Sequence, residues 1–209
     1  MSLVLTLIIG YLLGSLNFSI IFTKIFAGTD VRDHGSGNAG FTNTIRTAGK
    51  KAGILVFICD AIKAVAAILL AVLINRYLPF DSFTPYAKYT AALGAVLGHN
   101  FPLYYGFKGG KGIVVSIAVI FSINWITACF VLGMFLIMFL ITGYVSFGSI
   151  TGAVTVIVCT SVMYAIGAAG VDIYQLMLMY VLGFLAIYMH RANIKRLLDG
   201  TENGFRSKK

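Results

Sequence analysis

Apolar residues run in long blocks along this chain, and the polar ones are gathered into a few short segments between the blocks. A helix that crosses a bilayer needs about 20 apolar residues at ~1.5 Å of rise each. Residues 3–22, 53–74, 148–168 and 173–189 meet that requirement. Residues 89–105 are apolar but end in His99, Asn100 and Pro102. Residues 113–141 make a continuous run, too long for one straight span and short for two, with Asn124 and Trp125 at its middle. A polar–aromatic pair of this kind belongs at the water interface, so the run is expected to turn there. The pattern then predicts seven membrane segments, the third and fourth of them short or broken. The first run is followed by Lys24 and lacks a basic leader and a small-residue cleavage site, so it is read as a retained helix.

Composition adds exclusions. With 59% apolar residues, 11% charged ones and a mean hydropathy of +0.91, the chain is neither an ordinary soluble domain nor a disordered one. An all-α integral membrane protein, a single domain over residues 1–209, is the expected class. Charge orients it. The net charge of +9 is concentrated in three segments: Lys24, Arg32, Arg46, Lys50 and Lys51; Lys108 and Lys111; and Arg191, Lys195, Arg196, Arg206, Lys208 and Lys209. The opposite connections hold only Arg76 and Lys88, and Lys63 is embedded in an apolar run. Basic loops stay cytoplasmic, which puts the N-terminus outside and the tail inside. Cys59, Cys129 and Cys159 lie far apart in apolar stretches, with no Cys pair or Cys–His cluster at metal spacing, and are read as small core residues.

The polar segments carry the candidate chemistry. The first, from Thr29 to Arg46, contains Gly35, Gly37 and Gly40 at dinucleotide-fingerprint spacing, but a membrane helix precedes it and no βαβ unit surrounds it. The physics of such loops still applies. Glycines let backbone N–H groups converge on an anion, Ser36, Asn38, Thr42 and Asn43 add neutral donors, and Arg46 supplies a planar charge suited to phosphate. A solvated loop with incidental Gly and Ser is the plainer reading, and so many donors close to one arginine argue against it. The second segment, Gly98 to Gly112, includes Lys108-Gly109-Gly110-Lys111-Gly112. It is not a Walker loop, yet a lysine between glycines at the start of a helix suits phosphate. Lys108 and Lys111 can reach one anion; as topogenic lysines, the pair is explained better at Lys108 than at Lys111. His99 is read equally as a substrate contact and as a helix-packing hydrogen bonder.

The third segment runs from Met189 to Arg196. His190 and Asn193 share one helical face, assigned to a site, while Arg191 and Lys195 share another, assigned to anionic headgroups. A basic stop-transfer tail would account for this stretch taken alone. A quieter stretch, Thr142 to Ser149, offers two hydroxyls at i,i+3, for which small-residue helix packing is the plain explanation. Asp60 and Lys63 fall within the second membrane segment and are expected to pair, with Arg46 as a third member, as support for the first loop. No HEXXH, no GxSxG elbow, no positioned carboxylate pair and no His-x4-Asp box is present. What remains is a set of anion-binding groups for phosphate-bearing substrates at the cytoplasmic membrane surface, with group transfer running on positioning and charge stabilisation. A transporter for an organic anion is the competing class; it is disfavoured by the absence of an internal repeat and by polar groups gathered at one face. A structural membrane subunit leaves the three glycine-bearing segments unexplained.

From Gly14 to about Glu202 the chain resembles the bacterial integral-membrane glycerol-3-phosphate acyltransferases that use acyl-phosphate, the PlsY family. The likeness rests on Gly35-Ser36-Gly37-Asn38 with Thr42-Asn43 and Arg46, on Gly98-His99 with Phe101-Pro102 and Lys108 through Gly112, and on His190 through Ile194 with Arg196-Leu197. The Asp60/Lys63 pair is also family-like. Asn17 and Ser19 stand where the family usually has Pro and Gly, which affects helix bending, and Phe41 stands for Ala, which crowds the loop. The resemblance implies acyl transfer from acyl-phosphate to the 1-hydroxyl of glycerol 3-phosphate, giving lysophosphatidic acid and inorganic phosphate. It implies that Ser36, Arg46 and Lys111 hold the acceptor phosphate. It further implies that Asn38, Gly40, Thr42, Asn43, Ser149, His190 and Asn193 line the acyl-phosphate side, with Gly37, His99 and Lys108 as further substrate contacts. The donor phosphate itself would accept the hydroxyl proton. No metal, nucleotide cofactor or nucleic acid is expected; membrane lipids and the soluble enzyme that supplies acyl-phosphate are the expected partners, at the bacterial inner membrane.

Overall fold

The structure, a computed structural model, describes residues 2–77 and 86–205; Arg206, Lys208 and Lys209 of the basic tail lie outside them. Among the described residues every regular element is helical: α1 (Ser2–Gly14), α2 (Phe18–Ala27), α3 (Phe41–Tyr77), α4 (Ala87–Asn100), α5 (Ile113–Ile123), α6 (Trp125–Thr142), α7 (Val145–Ala165), α8 (Ile173–Met189) and α9 (Arg191–Leu198). Two compact units divide the chain, Met1–Val119 and Ile120–Lys209.

In the first unit α1 lies along α4, and the reason is visible in their small residues. Gly10 and Gly14 back onto the Ala91 and Ala95 backbone, while Gly94 and Gly98 back onto the α1 backbone at Leu7 and Tyr11; a Cβ at any of the four would overlap a carbonyl oxygen. Lipid tails are as apolar as the helices, so close backbone packing and hydrogen bonds hold such a pair together. Thr6 and Thr90 share a hydroxyl hydrogen bond of 2.7 Å, and Tyr11 Oη donates to the Phe101 carbonyl at 2.8 Å. The first membrane segment breaks between α1 and α2 without a proline. Asn17 starts α2 by accepting the Ile20 N–H at 3.1 Å, and Ser19 ties α2 to Thr44 of α3 at 2.6 Å. The two unusual residues of this segment thus make the bend and anchor it.

α3 is not one straight rod. Gly49 has φ 88° and ψ 173°, a conformation open to glycine alone. Phe41 and Phe57, ~24 Å apart on a straight helix, stack edge-to-face with ring centres 5.7 Å apart. Gly53 lies against the Ile45 side chain. Residues 41–48 therefore fold back along the start of the 50–77 helix, and Phe41 is taken up by that hairpin.

In the second unit the helix is broken at Asn124, where a turn is expected. Asn124 caps α6 by accepting the Thr127 N–H at 3.0 Å and donates to the Ala169 carbonyl at 3.3 Å. Gly148 of α7 rests on Phe135 of α6, and Gly183 of α8 rests on Ala153 and Ile157 of α7. Among the described residues four helical stretches are long and apolar enough to cross a membrane: Leu3–Ala27, Phe41–Tyr77, Trp125–Thr142 and Val145–Ala165. α8 and α9, bent by 54°, make a fifth if taken as one span. At 14 and 11 residues, α4 and α5 are short for a bilayer ~30 Å thick, in keeping with the expectation of short third and fourth segments.

Candidate active site

In the first unit the loop from Gly28 to Gly40 is built around one side chain. Asn43, buried in the first turn of α3, donates through Nδ2 to the Val31 and His34 carbonyls, both at 2.9 Å, and accepts the Ser36 N–H at 3.0 Å. Gly35 and Gly37 flank Ser36 with φ of 57° and 69°, so the chain doubles back around the serine. Asn43, expected to line a substrate, has its amide spent on organising the loop. Asn38 lies half-buried with its amide close to Gly40, and Thr42 is half-buried at the start of α3. Gly40 offers its carbonyl to the Thr44 N–H at 3.0 Å. Arg46 is exposed on the 41–48 arm of the hairpin.

The second loop is tied to the first by Arg32, which sequence reasoning left without a role. Its guanidinium lies on the Asp30 carboxylate, with the closest contact 2.7 Å, and Nη1 donates to the carbonyls of Tyr105 at 2.9 Å and Lys108 at 3.3 Å. The Asp30–x–Arg32 spacing was the available signal: the carboxylate also caps the Val31–Asp33 turn through the Arg32 N–H at 2.9 Å. Hydrogen bonds from Arg32 hold the Asp30 carboxyl below its ordinary value, against the opposing effect of partial burial. An open cleft of ≈ 570 Å³ lies beside this tie, lined by Asp30, Arg32, Asp33, Gly37, Tyr105, Gly106, Lys108 and Gly109. Of the expected substrate contacts it includes Gly37 and Lys108.

The glycines of the second loop serve close packing. Gly109 N–H bonds the Asn100 carbonyl at 3.2 Å and Gly110 N–H bonds the His99 carbonyl at 3.1 Å. Gly110 is wedged between the His99 ring and the Ala39 carbonyl, with no room for a Cβ. Gly112, with φ 74°, then turns the chain into α5, so the half-buried Lys111 stands next to that helix's N-terminus. His99 is 3% exposed and sits with Asp60 and Lys63: Lys63 Nζ is 2.7 Å from Asp60 Oδ1 and 3.1 Å from His99 Nδ1. The histidine is thus a member of the embedded Asp60/Lys63 pair, for which sequence reasoning had named Arg46.

In the second unit Ser149 is buried in the first turns of α7 and donates to the Val145 carbonyl at 2.9 Å. His190, also buried, sits at the α8–α9 bend with Nδ1 2.7 Å from the Ala186 carbonyl. A carbonyl can only accept, so Nδ1 carries a proton. Asn193 Nδ2 donates to Glu202 Oε1 at 2.7 Å. The same carboxylate accepts from Ser146 Oγ at 2.8 Å and pairs with Arg196 Nε at 2.8 Å. The sequence reading gives Glu202 no part, since its place in a polar tail carries no local signal. Partial burial disfavours its ionised form, but the hydrogen bonds from Asn193, Ser146 and Arg196 together hold its carboxyl below the ordinary value. Arg191 lies over the Tyr188 ring at 4.4 Å and, with Lys195, remains exposed.

Comparison with known proteins places these loops in a family. The model of the glycerol-3-phosphate acyltransferase family matches residues 4–200. A glycerol-3-phosphate acyltransferase of Thermoanaerobacter sp. (strain X514) is 40% identical, over 96% of this chain and 94% of its own. One from Clostridioides difficile (strain 630) is 40% identical over 100% of this chain and 98% of its own. The crystal structure of PlsY, an integral membrane glycerol 3-phosphate acyltransferase in its glycerol 3-phosphate form, superposes with a TM-score of 0.84 at 38% identity, covering 99% of this chain and 96% of that one. Its lysophosphatidic acid form gives 0.80 at 35% identity, with the same shares covered. The chain therefore belongs to the glycerol-3-phosphate acyltransferase family, as a multi-pass membrane enzyme of the PlsY type.

Proposed function

We propose that this acyltransferase moves a fatty acyl group from acyl-phosphate to the 1-hydroxyl of sn-glycerol 3-phosphate. The hydroxyl oxygen bonds to the acyl carbonyl carbon, the bond from that carbon to the phosphate oxygen breaks, and the hydroxyl proton leaves on the released phosphate. Lysophosphatidic acid and inorganic phosphate are the products. The observation that carries this reading is the pair of glycine loops in the first unit. One bends around Ser36 and the other presents Lys111 at a helix N-terminus, and Arg32 and the Ala39–Gly110 contact fasten the two together. A serine held in a tight glycine turn and a lysine beside a helix N-terminus are suited to a phosphate dianion.

In this reading Ser36, Arg46 and Lys111 hold the phosphate of glycerol 3-phosphate, with Lys108 and Gly37 beside it. Asn38, Gly40, Thr42, Ser149, His190 and Asn193 serve the acyl-phosphate, and Asn43 acts by shaping the loop. Positioning and charge stabilisation then lower the barrier without a carboxylate base. The enzyme is expected to cross the bacterial inner membrane in seven segments, N-terminus outside and C-terminus inside, with residues 1–209 acting as one catalytic domain. Its cytoplasmic face would receive acyl-phosphate from the soluble enzyme that makes it.

Purified protein should release phosphate from palmitoyl-phosphate only when glycerol 3-phosphate is added, and should be inert with acyl-CoA or acyl carrier protein as donor. Lys111→Ala and Arg46→Ala should each abolish this release while the fold survives. Release independent of the acceptor, or wild-type turnover in both variants, would overturn the assignment.

A further inference from the structure

Charges within a membrane helix are expensive and need a reason. Asp60 and Lys63 are 1% and 4% exposed within α3, and the cluster they form with His99 reaches well beyond that helix. Lys63 Nζ also donates to the Leu16 carbonyl at 2.6 Å, in the break between α1 and α2, and lies 5.5 Å from the centre of the Phe18 ring. One ammonium thus joins α3, the first-segment break and the end of α4. An ammonium has no lone pair, so His99 Nδ1 accepts from Lys63, and Nε2 carries the ring proton. Nε2 is also the His99 atom nearest to where a Cβ of Gly110 would stand.

Gly110 is the point where three things meet. Its N–H is held by the His99 carbonyl, and the His99 ring and the Ala39 carbonyl of the first loop both crowd the place where its Cβ would stand. Lys111 is the next residue. The His99 ring packs directly on Gly110, so a displaced ring alters the seat of the loop.

We propose that the buried Asp60–Lys63–His99 cluster is a positioning device: it fixes the His99 ring as the floor beneath Gly110, and through it sets the place of Lys111 and the affinity for glycerol 3-phosphate. This rests on the acyltransferase reading above. Asp60 and Lys63 act at a distance and touch no substrate. His99, expected equally as substrate contact and packing residue, acts through the glycine loop.

The test uses the full-length protein in detergent, with Asp60→Asn, His99→Ala and His99→Gln. Amide hydrogen exchange reads the positioning directly. In Asp60→Asn and His99→Ala the Gly109 and Gly110 amides should exchange about tenfold faster, with the α1–α4 seam unchanged. In the same variants the KM for glycerol 3-phosphate should rise on the order of tenfold, while the KM for palmitoyl-phosphate stays within about twofold. His99→Gln, which keeps a flat polar group against Gly110, should fall between wild type and His99→Ala. Unchanged exchange at Gly109 and Gly110 in the folded variants would overturn the proposal, as would equal rises in both KM values. If Asp60→Asn and His99→Ala fail to fold, Gly110→Ala tests the same contact from the other side: an unchanged acceptor KM there overturns it. A wild-type enzyme without acceptor-dependent turnover would sink the acyltransferase reading alone, since the exchange measurement still decides the positioning.

Discussion

The two units organise their polar ends by opposite means. In the first, the loops are held by many separate ties: Asn43 fastens three backbone groups, Arg32 crosses to two carbonyls, and Gly110 packs between His99 and Ala39. In the second, one carboxylate gathers three side chains. Glu202 is the shared partner of Ser146 at the start of α7 and of Asn193 and Arg196 on α9. A distributed network survives the loss of a member, whereas a hub does not. The lesson is that the residue most costly to lose here is one that touches no phosphate in the proposed reaction.

Three measurements sharpen or break that contrast. The largest effect is expected from Glu202→Ala, which strips the acceptor from two buried side chains and from Arg196. A loss of about 3 kcal/mol or more should follow, since each buried group left unpaired costs ~1–3 kcal/mol. Activity should fall with it, and thermal unfolding of the purified variant checks both. A variant as stable as wild type would show that Glu202 is no hub. Asn43→Ala comes second: the loop around Ser36 loses three bonds, but Arg32 and Gly110 still hold its neighbours. Of its partners only the Val31 carbonyl is left buried, since His34 is exposed and Ser36 half-buried, so stability should drop by only about 1–2 kcal/mol, with the acceptor KM rising and the donor KM little changed in steady-state assays.

The smallest effect is set by pH. Glu202 and Asp30 both ionise below their ordinary values, so each contributes stability that is complete above the unfolded carboxyl pKa and is lost as pH falls through the folded one. Acid should loosen the C-terminal corner first, because a protonated Glu202 gives up a shared acceptor. Arg32, by contrast, keeps the Tyr105 and Lys108 carbonyls after Asp30 is protonated. Hydrogen exchange of α9 and of residues 29–40 across an acid titration reads the order, and simultaneous loosening would contradict it.

How far the sequence could be read depends on how local each cause was. The break at Asn124 was legible because a capping amide acts within one turn of helix. The glycine loops were legible for the same reason, and the family resemblance rested on them. The reversal at Gly49 was not: its neighbours all favour helix, and only the contacts of Phe41 with Phe57 and Ile45 with Gly53 fix the hairpin. Asn43 read as a substrate ligand because its type and spacing suit one, while its three partners lie in the backbone, where sequence shows nothing. His99 depends on a partner 36 positions away, and Glu202 joins its near neighbours Asn193 and Arg196 to Ser146, 56 positions away, beyond any periodicity. Charge placement gave the expected orientation through Lys and Arg counts, a signal about insertion and not about packing.

The glycine seam between α1 and α4 carries a consequence for biosynthesis. α1 precedes α4 in the chain, so during synthesis the notches at Gly10 and Gly14 wait for the partner that fills them. Any helix bearing a small-residue stripe can settle there in the meantime. The nascent chain is therefore most exposed to mispairing during this interval, and α4 must displace whatever has occupied its seat.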